Sequence, residues 1–327
     1  MTKSKILNWG IIGCGSVTEL KSGPAYQKAD GFVLKAVMRR NSEKAADYAE
    51  RHGVEKFYSN ADELINDTEI DAIYIATPPD SHKYYALKVA EAGKPCCIEK
   101  PLAPSYEDSL SIVKCFEEKK LPLFVAYYRR SLPRFQKVKK WLDSGSIGDI
   151  RHVSWHLSKP ANEIDYSGVY NWRTDPKIAP GGYFDDLASH GLDLFAYLFG
   201  DFKEVVGLYK NQQGFYKAKD AVVASWFHEK GISGTGSWNF GTAIRQDKVE
   251  IYGSKGKIEF SVFDEIPLKI TNENGIQELF IENPKNIQLY HVQNMRDHLQ
   301  GIMEHPSSGV TAAHTNWVMD KILGTII

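Results

Sequence analysis

Two short patterns in this chain carry the residue types suited to moving protons: Glu99-Lys100-Pro101 and Asp186-x-x-x-His190. The residue before a proline is biased away from helical geometry, so Lys100 can project from the end of a strand rather than continue into a helix. Beside a bound positive charge, such an amine would be repelled and partly desolvated. Both effects favour its neutral form and make it a usable proton carrier. Asp186 and His190 lie four residues apart and share one face of a helix. A carboxylate so placed fixes the imidazole tautomer and favours its charged form. The plainer readings are a surface Lys100–Glu99 ion pair and a structural Asp–His pair. Asp185 faces another side of the same helix and is left out.

The element that would bring Lys100 to a cofactor lies near the N-terminus. Gly10-Ile11-Ile12-Gly13-Cys14-Gly15-Ser16-Val17-Thr18 follows an apolar run and opens a helical pattern, the context that a dinucleotide fingerprint requires. Gly13 permits the tight turn and Gly15 a close approach of the pyrophosphate, while Ser16 and Val17 open the helix beneath it. Thr18 stands where the fingerprint has its third glycine. About 20 residues on, where NAD-binding chains carry an acid, this one reads Met38-Arg39-Arg40-Asn41-Ser42. An arginine fork binds a 2′-phosphate with charge-assisted bonds, so NADP(H) is favoured. In the alternative one arginine stacks on adenine or faces solvent, and NAD(H) is accepted. Ala76-Thr77-Pro78 ends another strand, and its groups would line the nicotinamide pocket. His82, in the following helical turn, reads equally as structural or as near the cofactor. Glu99 and Lys100 end the strand where the ring would meet its substrate.

The elements holding these positions alternate. Asn8–Ile12, Val33–Met38, Ala72–Ala76, Cys96–Ile98 and Leu123–Ala126 read as buried parallel strands. Helical patterns fall between them at Val17–Lys28, Ser42–His52, Ala61–Asn66, Ser81–Ala92 and Ser105–Lys119. This predicts an α/β fold, a parallel sheet covered on both faces, with ligands beyond the carboxyl ends of its strands. After Arg130 the pattern changes to a helix at Pro133–Leu142, a strand near Ile150–Leu157, a helix at Asp186–Leu198 and mostly strands from Val205 to Ile281. This reads as an α+β domain on a mainly antiparallel sheet centred on Ala221–Phe227 and Ile232–Trp238. The expected division is 1–126 and 127–327, with helices near Gln288–Met303 and Ala312–Leu323, the last packing back on the first domain.

Composition bounds the rest. Of 327 residues, 43% are apolar and 25% charged, and the formal charge is −1, so no global field favours nucleic acid or an anionic membrane. No apolar stretch is long enough to span a bilayer. The start, Met1-Thr2-Lys3-Ser4-Lys5, has no secretory apolar region, which predicts a cytoplasmic protein. The cysteines, Cys14, Cys96, Cys97 and Cys115, form no spaced metal-binding pair, so no metal is expected.

The ordered set Gly13-x-Gly15, Ala76-Thr77-Pro78, Glu99-Lys100-Pro101, Trp172-Arg173 and Asp186-x-x-x-His190 resembles the glucose–fructose oxidoreductase/inositol dehydrogenase/rhizopine catabolism (Gfo/Idh/MocA) family. The match runs over nearly the whole chain and includes Gly181-Gly182. The resemblance implies a Rossmann domain followed by a domain with an open-faced sheet, many members being dimers or tetramers. It implies that Lys100 and His190 share acid–base work and that Asp186 holds a substrate hydroxyl or orients His190. It further implies that Trp172-Arg173 closes over the cofactor, that Tyr290 lies near it, and that the peptide before Pro101 is cis. Tyr128, just past the last Rossmann strand, would border the substrate. The glycine run ends early, at Pro180-Gly181-Gly182-Tyr183, so Tyr183 would shape the substrate entrance. The implied activity is hydride transfer between NAD(P)(H) and a sugar, polyol or related small carbohydrate-like substrate. A cofactor-binding sugar sensor or repressor without turnover, and a redox-neutral NAD-dependent glycosidase, are the alternatives. An exposed sheet face needs cover, so a homodimer or homotetramer is expected.

Overall fold

A computed structural model describes residues 6–326; the N-terminal pentapeptide on which the leader reading rests lies outside them. The chain divides into two compact units, Met1–Leu132 with Pro284–Ala313, and Pro133–Asn283 with His314–Ile327. The sequence reading gives everything after 126 to the second domain, whereas the 284–313 segment belongs with the first.

The first unit opens with β1 (Leu7–Ile12), α1 (Ser16–Leu20), α2 (Gly23–Lys28), β2 (Phe32–Met38) and α3 (Ser42–His52). It continues through β3 (Lys56–Tyr58), α4 (Ala61–Asn66), β4 (Ala72–Ile75), α5 (His82–Glu91), β5 (Cys96–Ile98), α6 (Tyr106–Glu118) and β6 (Leu123–Val125). All strand pairs are parallel, in the order β3-β2-β1-β4-β5-β6, the doubly wound Rossmann arrangement. The strand order reverses between β1 and β4, so Gly13 and Ala76 follow the two strands that flank the switch point. One core, with Ile73, Ile75, Cys96 and Ile98, fills one face; the other, with Trp9, Tyr26, Tyr74 and Cys97, fills the opposite face. The neighbouring cysteines thus separate to opposite sides of β5, as the two-residue period of a strand demands.

Two local expectations fail. The short edge strand β3 was not anticipated, because Lys56-Phe57-Tyr58 has no apolar run and stays partly exposed. The single helix expected over Val17–Lys28 is two. Pro24 has no N–H to continue the ladder of α1 and sits instead in the first turn of α2.

The second unit begins with α7 (Pro133–Asp143), β7 (Ile150–Ser158), α8 (Glu163–Ser167) and α9 (Tyr183–Phe199). The strands β8 (Phe202–Lys210), β9 (Ala221–His228), β10 (Ser233–Asn239), β11 (Gln246–Gly253), β12 (Gly256–Phe260), β13 (Leu268–Asn272) and β14 (Gly275–Leu279) follow. They form an eight-stranded sheet, β14-β13-β12-β11-β7-β10-β9-β8, antiparallel except where β7 meets β10. Its centre is therefore β11 and β7 rather than the expected β9 and β10, because β7 inserts between hairpins that follow it in sequence. The indole of Trp155 fixes the inner face, packing edge-on to Trp238 and to Phe195 of α9 and donating to buried Asp247 at 2.8 Å. On β8 and β9 the other face leaves Val206, Leu208, Val223 and Phe227 exposed. The chain then re-enters the first unit with α10 (Leu289–Leu299), whose Val292 and Met295 join the Trp9 core. The closing helix α11 (Gly309–Ile322) gives Ala312 and Ala313 to the first unit; from His314 on it belongs to the second, where Thr315 Oγ1 donates to Asp193.

Among the buried histidines, four bear on acid stability: His82, His291 and His305 in the first unit and His228 in the second. Burial holds all four below the ordinary imidazole range, His228 and His305 at about 4. An unfolded chain takes up these protons below roughly pH 6.5, which the fold resists until about pH 4. Their contribution is complete above roughly pH 6.5 and is lost as pH falls towards 4, on the order of 2–3 kcal/mol for each of His228 and His305. Urea midpoints should fall steeply between pH 6.5 and 4.5; a flat profile there would contradict this account of the buried rings.

Candidate active site

In the first unit the glycine turn and the end of β4 lie against each other. Gly13 has φ +95°, and a Cβ there would come within 2.7 Å of Thr77 Cγ2, so no side chain fits. At Gly15 an added Cβ would meet only Gly13 O, at 3.8 Å, which leaves the turn open for another molecule. Thr18 is buried yet satisfied: its hydroxyl donates to Gly15 O at 2.8 Å, and its carbonyl accepts from Tyr48. A threonine thus serves where the fingerprint carries glycine. Arg39, at the end of β2, reaches back to the same turn and donates from Nη1 to Cys14 O at 3.3 Å. Arg40 beside it is exposed, and Ser16 is exposed at the start of α1. The open turn and the arginines above it fit a dinucleotide.

At the end of β5, Glu99 turns inward. Its Oε1 accepts from Tyr74 OH at 2.6 Å and from Gln288 Nε2 at 2.8 Å, and its Oε2 from the backbone N–H of Lys100 at 3.2 Å. Sequence reasoning makes Glu99 a cofactor contact; here its carboxylate is an internal anchor that fixes the backbone from which Lys100, half-buried, projects. The Lys100–Pro101 peptide is cis. His82 is a strut: its ring nitrogens lie 2.8 Å from Thr77 O and 3.0 Å from Pro101 O, tying the turn after β4 to the turn after β5. Tyr128 is half-buried with the Arg129 guanidinium over its ring, and Tyr127 is core. Tyr290 is exposed on α10.

In the second unit Asp186 and His190 share a face of α9, His190 buried with its ring edge-on to Phe263. Arg173, expected at the cofactor, donates from Nε to Asp186 Oδ2 at 2.7 Å, and its guanidinium lies over Trp172, 4.4 Å from the ring centroid. A run of hydrogen bonds holds this pair in place. Asn171 accepts from the Arg173 N–H at 3.2 Å and donates to Tyr183 OH at 3.0 Å. Tyr183 donates to Asp165 at 2.6 Å, Asp165 accepts from Asn162 N–H at 2.8 Å, and Asn162 accepts from Lys159 Nζ at 2.6 Å. Tyr183 is therefore a buried clamp between α9 and the 159–175 segment, not the lining of an entrance. Burial, with Asp165 as acceptor, keeps its phenol protonated well above the ordinary range. Sequence reasoning gave no role to Tyr74, Asp165, Asn171 or Gln288, although it started a helix near Gln288 and put Tyr290 by the cofactor.

Asp185 accepts from Gly181 N–H at 2.8 Å. Burial, reinforced by the charges of Asp320 and Asp186, pushes its carboxyl up to about 7. The fold therefore prefers the neutral acid, and above roughly pH 7 it carries a penalty that is absent below roughly pH 4. Asp185→Asn keeps an acceptor for Gly181 and should raise stability at pH 8 by on the order of 2–4 kcal/mol, the gain vanishing near pH 4. Paired denaturation curves at the two pH values test this; equal gains at both would place the effect elsewhere than in the charge.

Comparison with known proteins identifies the surroundings of these residues. Residues 7–127 match the family model described as "Oxidoreductase family, NAD-binding Rossmann fold", and residues 135–259 match the GFO/IDH/MocA C-terminal domain. The chain is 36% identical to Oxidoreductase P35 of Formosa agariphila over 98% of this chain and 99% of that protein. It is 31% identical to levoglucosan dehydrogenase of Pseudarthrobacter phenanthrenivorans over 82% of this chain and 65% of that one. Against myo-inositol 2-dehydrogenase of Thermotoga maritima identity is 26% over 81% and 78%. Among solved structures, a levoglucosan dehydrogenase complex with NADH superposes with a TM-score of 0.89 at 24% identity, covering 98% of this chain and 96% of that one, a likeness of fold.

Proposed function

The chain belongs to the Gfo/Idh/MocA oxidoreductase family, and from that premise we propose that it interconverts an alcohol and a carbonyl on a sugar or polyol, with NADP(H) favoured and NAD(H) possible. The observation that carries this reading is the anchoring of Lys100: a buried carboxylate bonds its backbone N–H at the end of β5, in the unit that holds the open glycine turn. Gly13, Gly15, Ser16 and Val17 would hold the pyrophosphate, Arg39 and Arg40 the adenosine 2′ position, and Ala76, Thr77, Pro78 and Trp172 the nicotinamide end. When bound, the cofactor supplies the hydride acceptor or donor.

The residues manage the proton. In oxidation Lys100 Nζ, as an amine, takes the proton of the reacting hydroxyl; in reduction its ammonium returns one to the carbonyl oxygen. His190 shares this work as a second carrier. Asp186, oriented by Arg173, accepts a hydrogen bond from a substrate hydroxyl, a role that suits a polyhydroxylated ring. The named activities of the levoglucosan and inositol relatives favour the same substrate class. A panel of sugars, anhydrosugars, polyols and cyclitols, followed by nicotinamide absorbance with NADP(H) and NAD(H), tests the reading. A substrate-dependent change that requires Lys100 supports it. Release of an aglycone without net cofactor change, or tight binding of sugars with no turnover at all, overturns it.

The apolar stripe of Val206, Leu208, Val223 and Phe227 on an otherwise solvated sheet face favours a homodimer or homotetramer. Light scattering across a dilution series should give a mass of at least two chains; monomer mass throughout would contradict it. Free thiols at all four cysteines fit a reducing cytoplasm. Among the described residues no helix is long and apolar enough to cross a membrane.

A further inference from the structure

Lys159 follows β7 in the second unit and is half-buried. Its Nζ donates to Asn162 Oδ1 at 2.6 Å and lies over the ring of Tyr183, 5.3 Å from the centroid. An ammonium has three donors, so one bond to a neutral amide leaves two unspent. Among the described residues no carboxylate pairs with it. Asp186 is taken up by Arg173 at 2.7 Å, and Asp165 by Tyr183 and Asn162. Ser158 and Gln246 form the last pair of the β7–β11 ladder, so Lys159 and Arg245 come next on adjacent strands. Arg245 in turn holds Asp264 at 2.8 Å. Burial, then the like charge of Arg245, keeps the Lys159 ammonium below the ordinary lysine range. The charges of Asp165, Asp186 and Arg173 also reach it, the two carboxylates opposing the shift and Arg173 adding to it. Tyr183, Asp186 and His190 recur at i, i+3 and i+7 on α9 and so share one face. Lys159 thus stands over the first of these three residues, one helical turn from Asp186, as a partly accessible cation short of a counter-charge.

We propose that Lys159 binds a carboxylate of the substrate, so that the sugar this chain takes is an acid, a uronate or aldonate, rather than a neutral polyol. The inference rests on the dehydrogenase reading above and deepens it by naming the substrate class. One ammonium balances one negative charge. A phosphate ester, with a charge of about −1.5 to −2, calls for a second free cation, and Arg173 and Arg245 are already paired. The two contacts together fix which way round the sugar lies. Its acid group meets Lys159 near the end of β7, one of its hydroxyls meets Asp186, and His190 follows one turn further along α9. Lys159 is in this sense a binding residue that selects the substrate. The plainer role, steadying Asn162 at the start of α8, makes no distinction between an acid and a neutral sugar.

The test is equilibrium binding to the full chain in the presence of reduced dinucleotide, which cannot oxidise an alcohol. The probes are uronates and aldonates, beginning with D-glucuronate, D-galacturonate and D-gluconate, each beside its neutral counterpart and the corresponding sugar phosphate. The native chain should bind at least one acid about 10–100-fold more tightly than its neutral counterpart, the worth of one charge-assisted hydrogen bond. Added salt should shrink that preference. Two variants separate charge from scaffold. Lys159→Gln keeps a donor for Asn162 without the charge, and should bring acid and neutral sugar to within about threefold, chiefly by weakening the acid. Lys159→Arg keeps the charge and should retain most of the preference. No preference for any acid, a sugar phosphate bound more tightly than the acid, or parallel losses for acid and neutral sugar in Lys159→Gln would overturn the proposal. Turnover of neutral sugars with no preference for acids would strike this proposal alone. An acid bound with preference but never oxidised by NADP or NAD would sink the dehydrogenase reading and leave the role of Lys159 standing. A chain that binds none of the probes would sink both.

Discussion

Lys100→Met is expected to lower turnover by about 10²–10⁴-fold, the range for loss of a positioned general acid–base group, with dinucleotide affinity nearly unchanged. The split follows from how the lysine is held. Glu99 bonds the backbone N–H of residue 100, not its side chain, and Tyr74 and Gln288 complete the carboxylate's partners. Methionine keeps the backbone bond and much of the apolar stem, and removes only the Nζ that exchanges a proton. The fold around β5 should therefore survive, and cofactor titration should give a curve close to that of the native chain. If the variant turned over at a near-native rate, Lys100 would have no part in the chemistry. If instead it lost cofactor affinity and turnover together, Lys100 would be a binding residue.

The second large effect is expected at the end of β2. Replacing Arg39 and Arg40 together by alanine should weaken NADPH by about 10²-fold relative to NADH, since each charge-assisted hydrogen bond contributes about 1.5–3 kcal/mol and part of that is screened at an exposed site. Arg39 spends one N–H on Cys14 O, which holds its guanidinium over the glycine turn. A guanidinium has five such donors, so most of the fork is left for a phosphate. The chain also lacks, at this position, the acidic side chain that would repel a 2′-phosphate. Equal losses for the two cofactors in binding titrations would show that these arginines do not read the 2′ position.

Much of this arrangement is legible in the sequence because it is local. The buried strands β1, β4 and β5 are short apolar runs, and the glycine turn, Lys100 and the Asp186–His190 pair are read directly from spacing. What escaped the sequence depends on partners far apart along the chain. Glu99 looks like a charged neighbour of Lys100 until Gln288, 189 residues away, is seen to share its carboxylate. Arg173 reads as a cofactor contact because the resemblance puts it there, whereas in the fold it donates to Asp186, 13 residues on. Tyr183, set against a missing glycine, suggested an altered entrance; burial and a bond to Asp165 make it part of the scaffold instead. The centre of the second sheet could not be found from strand patterns alone, since alternation reports which face is buried and not which strands are neighbours. Asp185 faces away from Asp186, as helical spacing predicts, yet spacing gave no sign that burial would hold its carboxyl near neutrality.

The central claim is that the chain transfers hydride to and from a carbohydrate carbon, and label transfer tests it most directly. Reduced cofactor carrying deuterium on the transferable position would be incubated with ketoses and other carbonyl sugars, and the products analysed by mass spectrometry. The account predicts one deuterium on carbon per product molecule, with the labelled product lost in Lys100→Met. Product formed while the label stays entirely in the cofactor would contradict it.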